Sequence, residues 1–327
     1  CTIIVQFDTP TSSNSVIISI EFMAKAKPFI KWVGGKTQLI EQLDAQLPAD
    51  FGNWENVTYI EPFIGGGAML FYLLQRYPNI ERAVINDINP DLTTCYEIVR
   101  DKPEELIASL QSIQETYYAL KTEEARKDFF LAVRKLYNEK NLDPIENTTK
   151  FFFLNRTCFN GLYRVNKKGE FNVPFGKYAQ PQICDPATIR MDSELLQRVE
   201  ILTGDFEATL DYAQGRTFFY FDPPYRPLSD TSSFNDYTKD SFNDEAQIRL
   251  KKFCDRVDKA GFSFMLSNSD CKGKNENDNF FDVLYSAYQI ERVWAKRNVN
   301  ANASKRGKLT EILVHNHLKT KQIPSII

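Results

Sequence analysis

Apolar residues along this chain gather in short runs, separated by segments of mixed, helix-forming composition. Thr58–Ile60, Ala83–Ile85, Glu200–Leu202, Thr217–Phe221, Phe262–Leu266 and Glu311–Val314 hold β-branched and aromatic residues, and each reads as a strand. Apolar runs of this kind, alternating with helical stretches, suit a parallel sheet buried on both faces. Between the first two strands stand Glu61-Pro62-Phe63-Ile64-Gly65-Gly66-Gly67 and then the helix formers Ala68–Arg76; the second strand ends at Asn86-Asp87. Strand, glycine turn, helix, strand, acid is the order of a βαβ nucleotide-binding unit. Lys27–Leu47 carries Gly34-Gly35 and continues as a predicted helix. From about Pro90 to Asn147 the chain reads as helical, and Phe151–Gly176 turns aromatic, Asn/Gly-rich and basic. The predicted fold is α/β, with a doubly wound, mostly parallel, Rossmann-like sheet. An inserted segment, roughly 96–195, combines helices with a β-hairpin.

Composition narrows the chemistry. The chain has 327 residues, 43% of them hydrophobic, enough for one large domain with a sizeable insertion. Its 40 basic and 43 acidic residues give a net charge of -3, so any nucleic-acid surface must be local. Such a place exists: residues 155–178 hold Arg156, Arg164, Lys167, Lys168 and Lys177 against the single acid Glu170. Aromatic residues are interleaved, and Asn166-Lys167-Lys168-Gly169 reads as the turn of a hairpin spanning Leu162–Val173. A basic hairpin is suited to the major groove; a plain solvated surface is the alternative. A second basic run, Lys296, Arg297, Lys305, Arg306 and Lys308, reads as a loop that holds phosphates or is simply solvated.

Only two histidines, His315 and His317, are present, and the six cysteines form no C-x-x-C pair. No metal site is expected, and histidine acid–base catalysis is nearly excluded. Scattered cysteines fit a reducing cytoplasm, and no apolar run is long enough to span a bilayer. Residues 1–22 are Ser/Thr-rich and lack a basic leader region. They read as an extension without functional consequence, with Met23 as the natural start.

The chemistry is carried by Phe218-Phe219-Tyr220-Phe221-Asp222-Pro223-Pro224-Tyr225, a buried strand that delivers Asp-Pro-Pro-Tyr at its C-terminal end. Open α/β sheets build their sites at that end. An exocyclic amine such as N6 of adenine is a poor nucleophile, because its lone pair is delocalised into the ring. Two acceptors for its hydrogens draw the nitrogen toward a tetrahedral geometry, and the Asp222 carboxylate and the Pro223 carbonyl can supply them. The prolines stiffen the turn and remove its donors. Tyr225 offers a flat face for a flipped base. Methyl transfer to such a nitrogen is mostly positioning and electrostatics and needs no histidine. By itself the tetrad is also compatible with an ordinary strand-to-loop turn, or with a methylase of another planar amine.

Taken together, the chain resembles the Dam-type (D12 class) DNA adenine-N6 methyltransferases, the group that modifies GATC. The likeness runs in order over most of Pro28–His315. Its blocks are Lys31-Trp32-Val33-Gly34-Gly35-Lys36, residues 61–67, Asn86-Asp87-Ile88-Asn89, Asn155-Arg156, residues 160–166 and 169–176, Asp222-Pro223-Pro224-Tyr225 and Ser267-Asn268. The resemblance implies S-adenosylmethionine as cofactor, held by Trp32, Lys36, Phe63, Gly65, Gly67, Asp87, Asp205, Phe206 and Asp222. Asp87 would accept from the ribose hydroxyls, Asp205 would bond the cofactor's adenine amine, and Phe206 would pack on its ring. In isolation, Trp32 reads rather as a core anchor and Lys36 as a solvated helix residue. The catalytic set is Asp222, Pro223 and Tyr225. Duplex DNA is the implied partner, met by Lys31, Arg156, Asn160, Arg164, Pro174 and Lys177. Arg164 is the candidate for bidentate guanine readout, and Pro227–Phe242 is the candidate for a loop ordering over the flipped base.

The resemblance further implies a monomer, in the cytoplasm of a bacterium or encoded by a phage. A cognate restriction endonuclease acting on the same site without a stable complex is compatible with it. Residues 23–95 and 196–318 form the expected catalytic domain, and 96–195 the expected target-recognition domain. Three other functions stay open on the residues alone. An amine methylase of cytosine N4 or RNA is separated by product nucleoside analysis. A catalytically inactive DNA-binding regulator would bind duplex and transfer nothing. A nicotinamide enzyme is disfavoured, because the glycine turn lacks the third glycine of G-x-G-x-x-G and leaves Asp222–Tyr225 without a role.

Overall fold

Period-two alternation along the strands decides which face of the sheet each side chain feeds. The computed structural model describes residues 2–7, 16–21, 25–226, 242–273, 275–295 and 309–317. Strands β1 (Thr2–Phe7) and β2 (Val16–Glu21) pair antiparallel in a sheet of their own. The main sheet has seven strands: β3 (Val57–Glu61), β4 (Ile80–Asp87), β5 (Val199–Thr203), β6 (Arg216–Phe221), β7 (Ser263–Ser269), β8 (Gln289–Ala295) and β9 (Leu309–His315). Their order is β5-β4-β3-β6-β7-β9-β8. Strands β3 to β7 are mutually parallel, whereas β9 runs antiparallel to both β7 and β8. The sheet is thus a doubly wound, mostly parallel one, as expected from the sequence. Its order reverses between β3 and β6, and such a reversal opens a crevice at the carboxyl ends of the strands.

Both faces are dry. Tyr59, Ala83, Ile85, Phe218, Tyr220 and Leu313 point into one core, and Ile60, Val84, Phe219, Phe221, Ile312 and Val314 into the other. The first core is covered by α2 (Ala68–Arg76), α3 (Pro90–Asp101) and α7 (Pro186–Leu196) and continues into α4 (Pro103–Ala119), α5 (Glu123–Asn138) and α6 (Pro144–Thr157). The second is covered by α8 (Asp244–Lys259) and α9 (Phe280–Leu284). Helix starts are written locally: Asn89 accepts from the Asp91 and Leu92 N–H groups, Asp143 from those of Ile145 and Glu146, and a proline follows each cap. Phe152 of α6 stacks on Phe29 with centroids 5.4 Å apart, which joins the insertion to the segment leading into the sheet.

Two expectations need correction. Lys27–Leu47 is mostly turns, and only α1 (Ile40–Asp44) is helical. The physical reason lies in Gly34, which adopts φ +82°, and in Lys36, whose side chain is drawn into the interior. The hairpin of 162–173 has no ladder. Its arms meet at one bridge, Val165 with Phe171, and at the Asn166 N–H to Glu170 O and Asn172 N–H to Arg164 O bonds. Edge strand β8 was not apparent from the sequence. The loop residues 227–241 and the basic run Lys296, Arg297, Lys305, Arg306 and Lys308 lie outside the described residues. Among the described residues no helix is long and apolar enough to cross a membrane.

Candidate active site

The carboxyl ends of β3, β4 and β6 converge where the strand order reverses. Asn86, buried at the end of β4, donates to Pro62 O and to Gly204 O, each at 3.0 Å, and so ties together the loops after β3 and β5. Two glycines of the turn after β3 have left-handed φ, +46° at Gly65 and +71° at Gly67. Space demands glycine there as well. A Cβ on Gly65 would meet Trp32 Cδ1 at 2.7 Å, and one on Gly67 would meet Tyr96 Oη at 2.5 Å. Gly67 then opens α2.

Asp87 ends β4. Its Oδ2 accepts from the Gly65 N–H at 3.2 Å and its Oδ1 from the Asn89 N–H at 3.0 Å. Burial pushes its carboxyl above the ordinary value, and these N–H groups oppose that rise. Beneath the turn, Glu61 is enclosed and bonded by Tyr59 Oη at 2.7 Å; burial holds its carboxyl well above the usual range. Phe63 and Phe206 lie 5.2 Å apart, centroid to centroid, and form an aromatic wall with Phe242 edge-on. Asp205 is gripped by the Arg249 guanidinium at 2.7 and 2.8 Å, and that guanidinium also lies over the Phe206 ring.

Asp222, at the end of β6, is the centre of a polar network. Lys36 Nζ lies 2.9 Å from its Oδ1, and Ser267 Oγ donates to the same oxygen at 3.1 Å. Lys36 is only 4% exposed; it also donates to Gly34 O at 3.0 Å and sits 4.3 Å from the centroid of the Tyr225 ring. Burial raises the Asp222 carboxyl and Lys36 pulls it back down. Tyr225 Oη donates to Glu311 Oε2 at 2.6 Å. The turn itself is held from behind, since Gln247 donates to Pro224 O at 3.1 Å and to it Asn268 donates at the same distance. The structure thus brings Lys36, Asp222 and Tyr225 together, with Asp87 on the adjoining strand. Trp32 covers Gly65 and stacks on Tyr163 at 5.3 Å.

The residues expected to meet DNA are placed unequally. Lys31 is fastened by its backbone to the buried Asn155, which accepts from its N–H at 2.9 Å and donates to its carbonyl at 2.8 Å. The same Asn155 amide donates to Gly161 O, so Lys31 lies beside the Asn160 turn. Asn160 is exposed with φ +57°. The Phe159 N–H donates to Pro174 O at 2.9 Å, which brings exposed Pro174 to the same place. Arg164 is bonded to Asn172 Oδ1 at 2.7 Å, and Lys177 pairs with Glu123 at 3.0 Å in the open. Arg156 turns inward and donates to Phe29 O at 2.6 Å; in this structure its contact is to protein.

Sequence reasoning assigned no role to Ser267, Gln247 or Glu311, which reach the site from β7, α8 and β9. A polar Ser-Asn pair closing a predicted parallel strand was the available signal for the first. Two exposed apolar side chains stand beside the proposed sites, Phe159 at 53% and Ile88 at 74%. No group of three or more metal-ligating side chains occurs among the described residues.

Comparison with known proteins bears on what this arrangement does. A family model of D12 class N6 adenine-specific DNA methyltransferases matches residues 32–299. The Type II methyltransferase M.MjaIII of Methanocaldococcus jannaschii is 47% identical over 296 residues, covering 90% of this chain and 100% of that protein. The Type II methyltransferase M1.LlaDCHI of Lactococcus lactis subsp. cremoris is 39% identical over 296 residues, with 89% and 95% covered. A DNA adenine methylase of Vibrio cholerae serotype O1 is 32% identical over 292 residues, covering 89% of this chain and 96% of that protein. With a match over most of its length and the Asp222 network at the sheet's switch point, the chain belongs to the D12 class N6 adenine-specific DNA methyltransferases.

Proposed function

We propose that this enzyme transfers the methyl group of S-adenosylmethionine to adenine N6 in GATC duplexes, with the target base flipped onto Asp222-Pro223-Pro224-Tyr225. The observation that carries the reading is the Asp222 carboxylate, held by Lys36 and Ser267 at the end of β6 beside Tyr225.

The residues at the neighbouring strand ends fit the donor. Asp87 is an acid at the end of β4, the place from which a carboxylate accepts ribose hydroxyls. Gly65 and Gly67 let backbone approach, Phe63 and Phe206 give a flat apolar wall, and Asp205 is a fixed acceptor within it. When bound, the donor supplies an electrophilic methyl on a sulfonium. The chain's own work is to bind, orient and accept hydrogen bonds. The Asp222 carboxylate and the Pro223 carbonyl accept hydrogen bonds from the two amine hydrogens, one of which leaves as a proton as the nitrogen gains the methyl; Tyr225 supports the base, and Lys36 opposes the rise that burial imposes on the Asp222 carboxyl. The doubly wound segments 23–95 and 196–318 would then form the catalytic domain.

Duplex DNA would meet the face of the insertion, 96–195, that carries Asn160, Arg164, Pro174 and Lys177, together with Lys31 of the catalytic segment, which Asn155 fastens beside it. Arg156 would support that face from within. Phe159 adds an exposed aromatic ring at the same edge, the kind of side chain that can enter a base stack.

Two measurements test this reading. Duplex treated with enzyme and donor is digested to nucleosides, and N6-methyladenine is expected. N4-methylcytosine, or equal labelling of RNA, would refute it. With 2-aminopurine at the target position, binding should raise fluorescence as the base unstacks. Unchanged fluorescence in a saturated complex would contradict base flipping.

A further inference from the structure

Glu311 sits on β9 opposite Ser269 of β7, and the proposed acceptor pair gives it no task. Yet its Oε2 accepts from Tyr225 Oη at 2.6 Å and stands 3.7 Å from Lys36 Nζ. The same ammonium is 2.9 Å from Asp222 Oδ1 and 4.3 Å from the centroid of the Tyr225 ring. Two carboxylates therefore share one enclosed cation, and the cation lies against the ring proposed to support the base. Lys36 and Ser267 both hold Asp222 Oδ1, so an amine that donates to that oxygen competes with Lys36 for it. An ammonium with 4% exposure cannot simply give up an anion, because an unpaired buried charge is heavily penalised. A second anion within reach removes that obstacle.

We propose that Glu311 is a positioning residue for methyl transfer. It fixes the Tyr225 ring through the phenol, and it is the anion toward which Lys36 shifts when the target amine takes Asp222. The proposal rests on the reading of Asp222–Tyr225 given above. A movement of Lys36 Nζ by about an ångström would bring it within hydrogen-bond range of Glu311. Burial keeps the Tyr225 phenol well above its ordinary pKa, so it remains a donor to that carboxylate.

The test compares Glu311→Ala, Glu311→Gln and Tyr225→Phe in the full chain with S-adenosylmethionine and a GATC duplex. Glu311→Ala is expected to lower kcat roughly tenfold or more, the scale of a lost charge-assisted hydrogen bond. KM for duplex and donor should stay within about threefold, as for an interaction realised in the transition state. Glu311→Gln keeps an acceptor for the phenol but no charge for Lys36, and its kcat should fall between those of wild type and Ala. The double variant Tyr225→Phe/Glu311→Ala should lose less than the product of the single losses, because the two groups act through one bond. A Glu311→Ala kcat within about twofold of wild type, a loss carried by the donor KM, or single losses that multiply would overturn the proposal. A Gln variant as active as wild type would remove the Lys36 part, and one as slow as Ala the Tyr225 part. Absence of transfer by the wild type would remove the underlying reading itself; normal wild-type transfer with insensitive variants removes this proposal alone.

Discussion

Replacing Lys36 with Met takes the cation away from Asp222 while keeping most of the side-chain volume. The ammonium lies 2.9 Å from the carboxylate and is almost wholly enclosed, so solvent screens the pair little. At an effective dielectric of about 20, Coulomb's law gives roughly 6 kcal/mol of gross attraction at this separation. Desolvation of both ions offsets much of that, and an opposite charge at such range typically moves a carboxyl by about 1–3 pKa units. The sign follows from the site. Burial already holds Asp222 above the ordinary carboxylate value, and Lys36 works against burial. Without Lys36 the carboxyl rises further. Accepting the amine hydrogens requires the ionised form, so activity appears as pH rises through the Asp222 pKa. The acid limb of kcat in Lys36→Met should therefore move to higher pH by about 1–3 units, and the rate below it should fall about tenfold per unit. Stability should follow the same group. A carboxyl whose folded pKa is raised costs stability as pH climbs from its unfolded value of about 4 through the folded one. The variant should lose more in that interval than wild type. The assay is methyl transfer between about pH 5 and 9 at saturating donor and duplex. An acid limb within about 0.3 unit of wild type would show that Lys36 does not set the charge of Asp222.

Other consequences can be checked separately. Arg164→Ala should cost about 1–3 kcal/mol of discrimination at one guanine of the site; equal weakening on all sequences, seen by competition binding, would make Arg164 a phosphate contact instead. Asp87→Ala should weaken donor binding by about 1.5–3 kcal/mol, since it removes charge-assisted acceptors, and should leave kcat at saturation nearly unchanged; equilibrium titration with the donor decides it. Phe152→Ala opens a cavity where α6 stacks on Phe29, and should cost about 3–5 kcal/mol in urea unfolding. A loss under about 1 kcal/mol would show that the insertion does not depend on that joint.

Much of this molecule could be read from its sequence, because the features that mark it are local. The glycine turn and the helix formers after it place α2 at Ala68–Arg76 as observed, and the apolar run 217–221 names β6. Asp222, Lys36 and Tyr225 were each visible from motifs. What could not be read is long-range or context-bound. Strand β8, Gln289–Ala295, mixes charges into its run because it forms the edge of the sheet, and of Gln289–Trp294 only Val293 is buried. Lys27–Leu47 has helix-forming composition, yet burial of the Lys36 side chain beside Asp222 outweighs local propensity there. Arg156 looked like part of a basic surface; it stands on α6 with Asn155, and the fold brings Phe29 O to its guanidinium. Ser267 and Glu311 lie 45 and 86 residues from their partners Asp222 and Tyr225, and only the pairing of β7 with β6, and of β9 with β7, makes them neighbours.

The most direct measurement is transfer of radiolabel from the methyl group of S-adenosylmethionine to two duplexes, one containing GATC and one with its target adenine replaced, using wild type and Asp222→Ala. Label should appear only with wild type on the GATC duplex and be recovered as N6-methyladenine. Label in both duplexes would contradict GATC as the site, label with Asp222→Ala near the wild-type rate would contradict the role of Asp222, and label in neither duplex would contradict the proposed reaction.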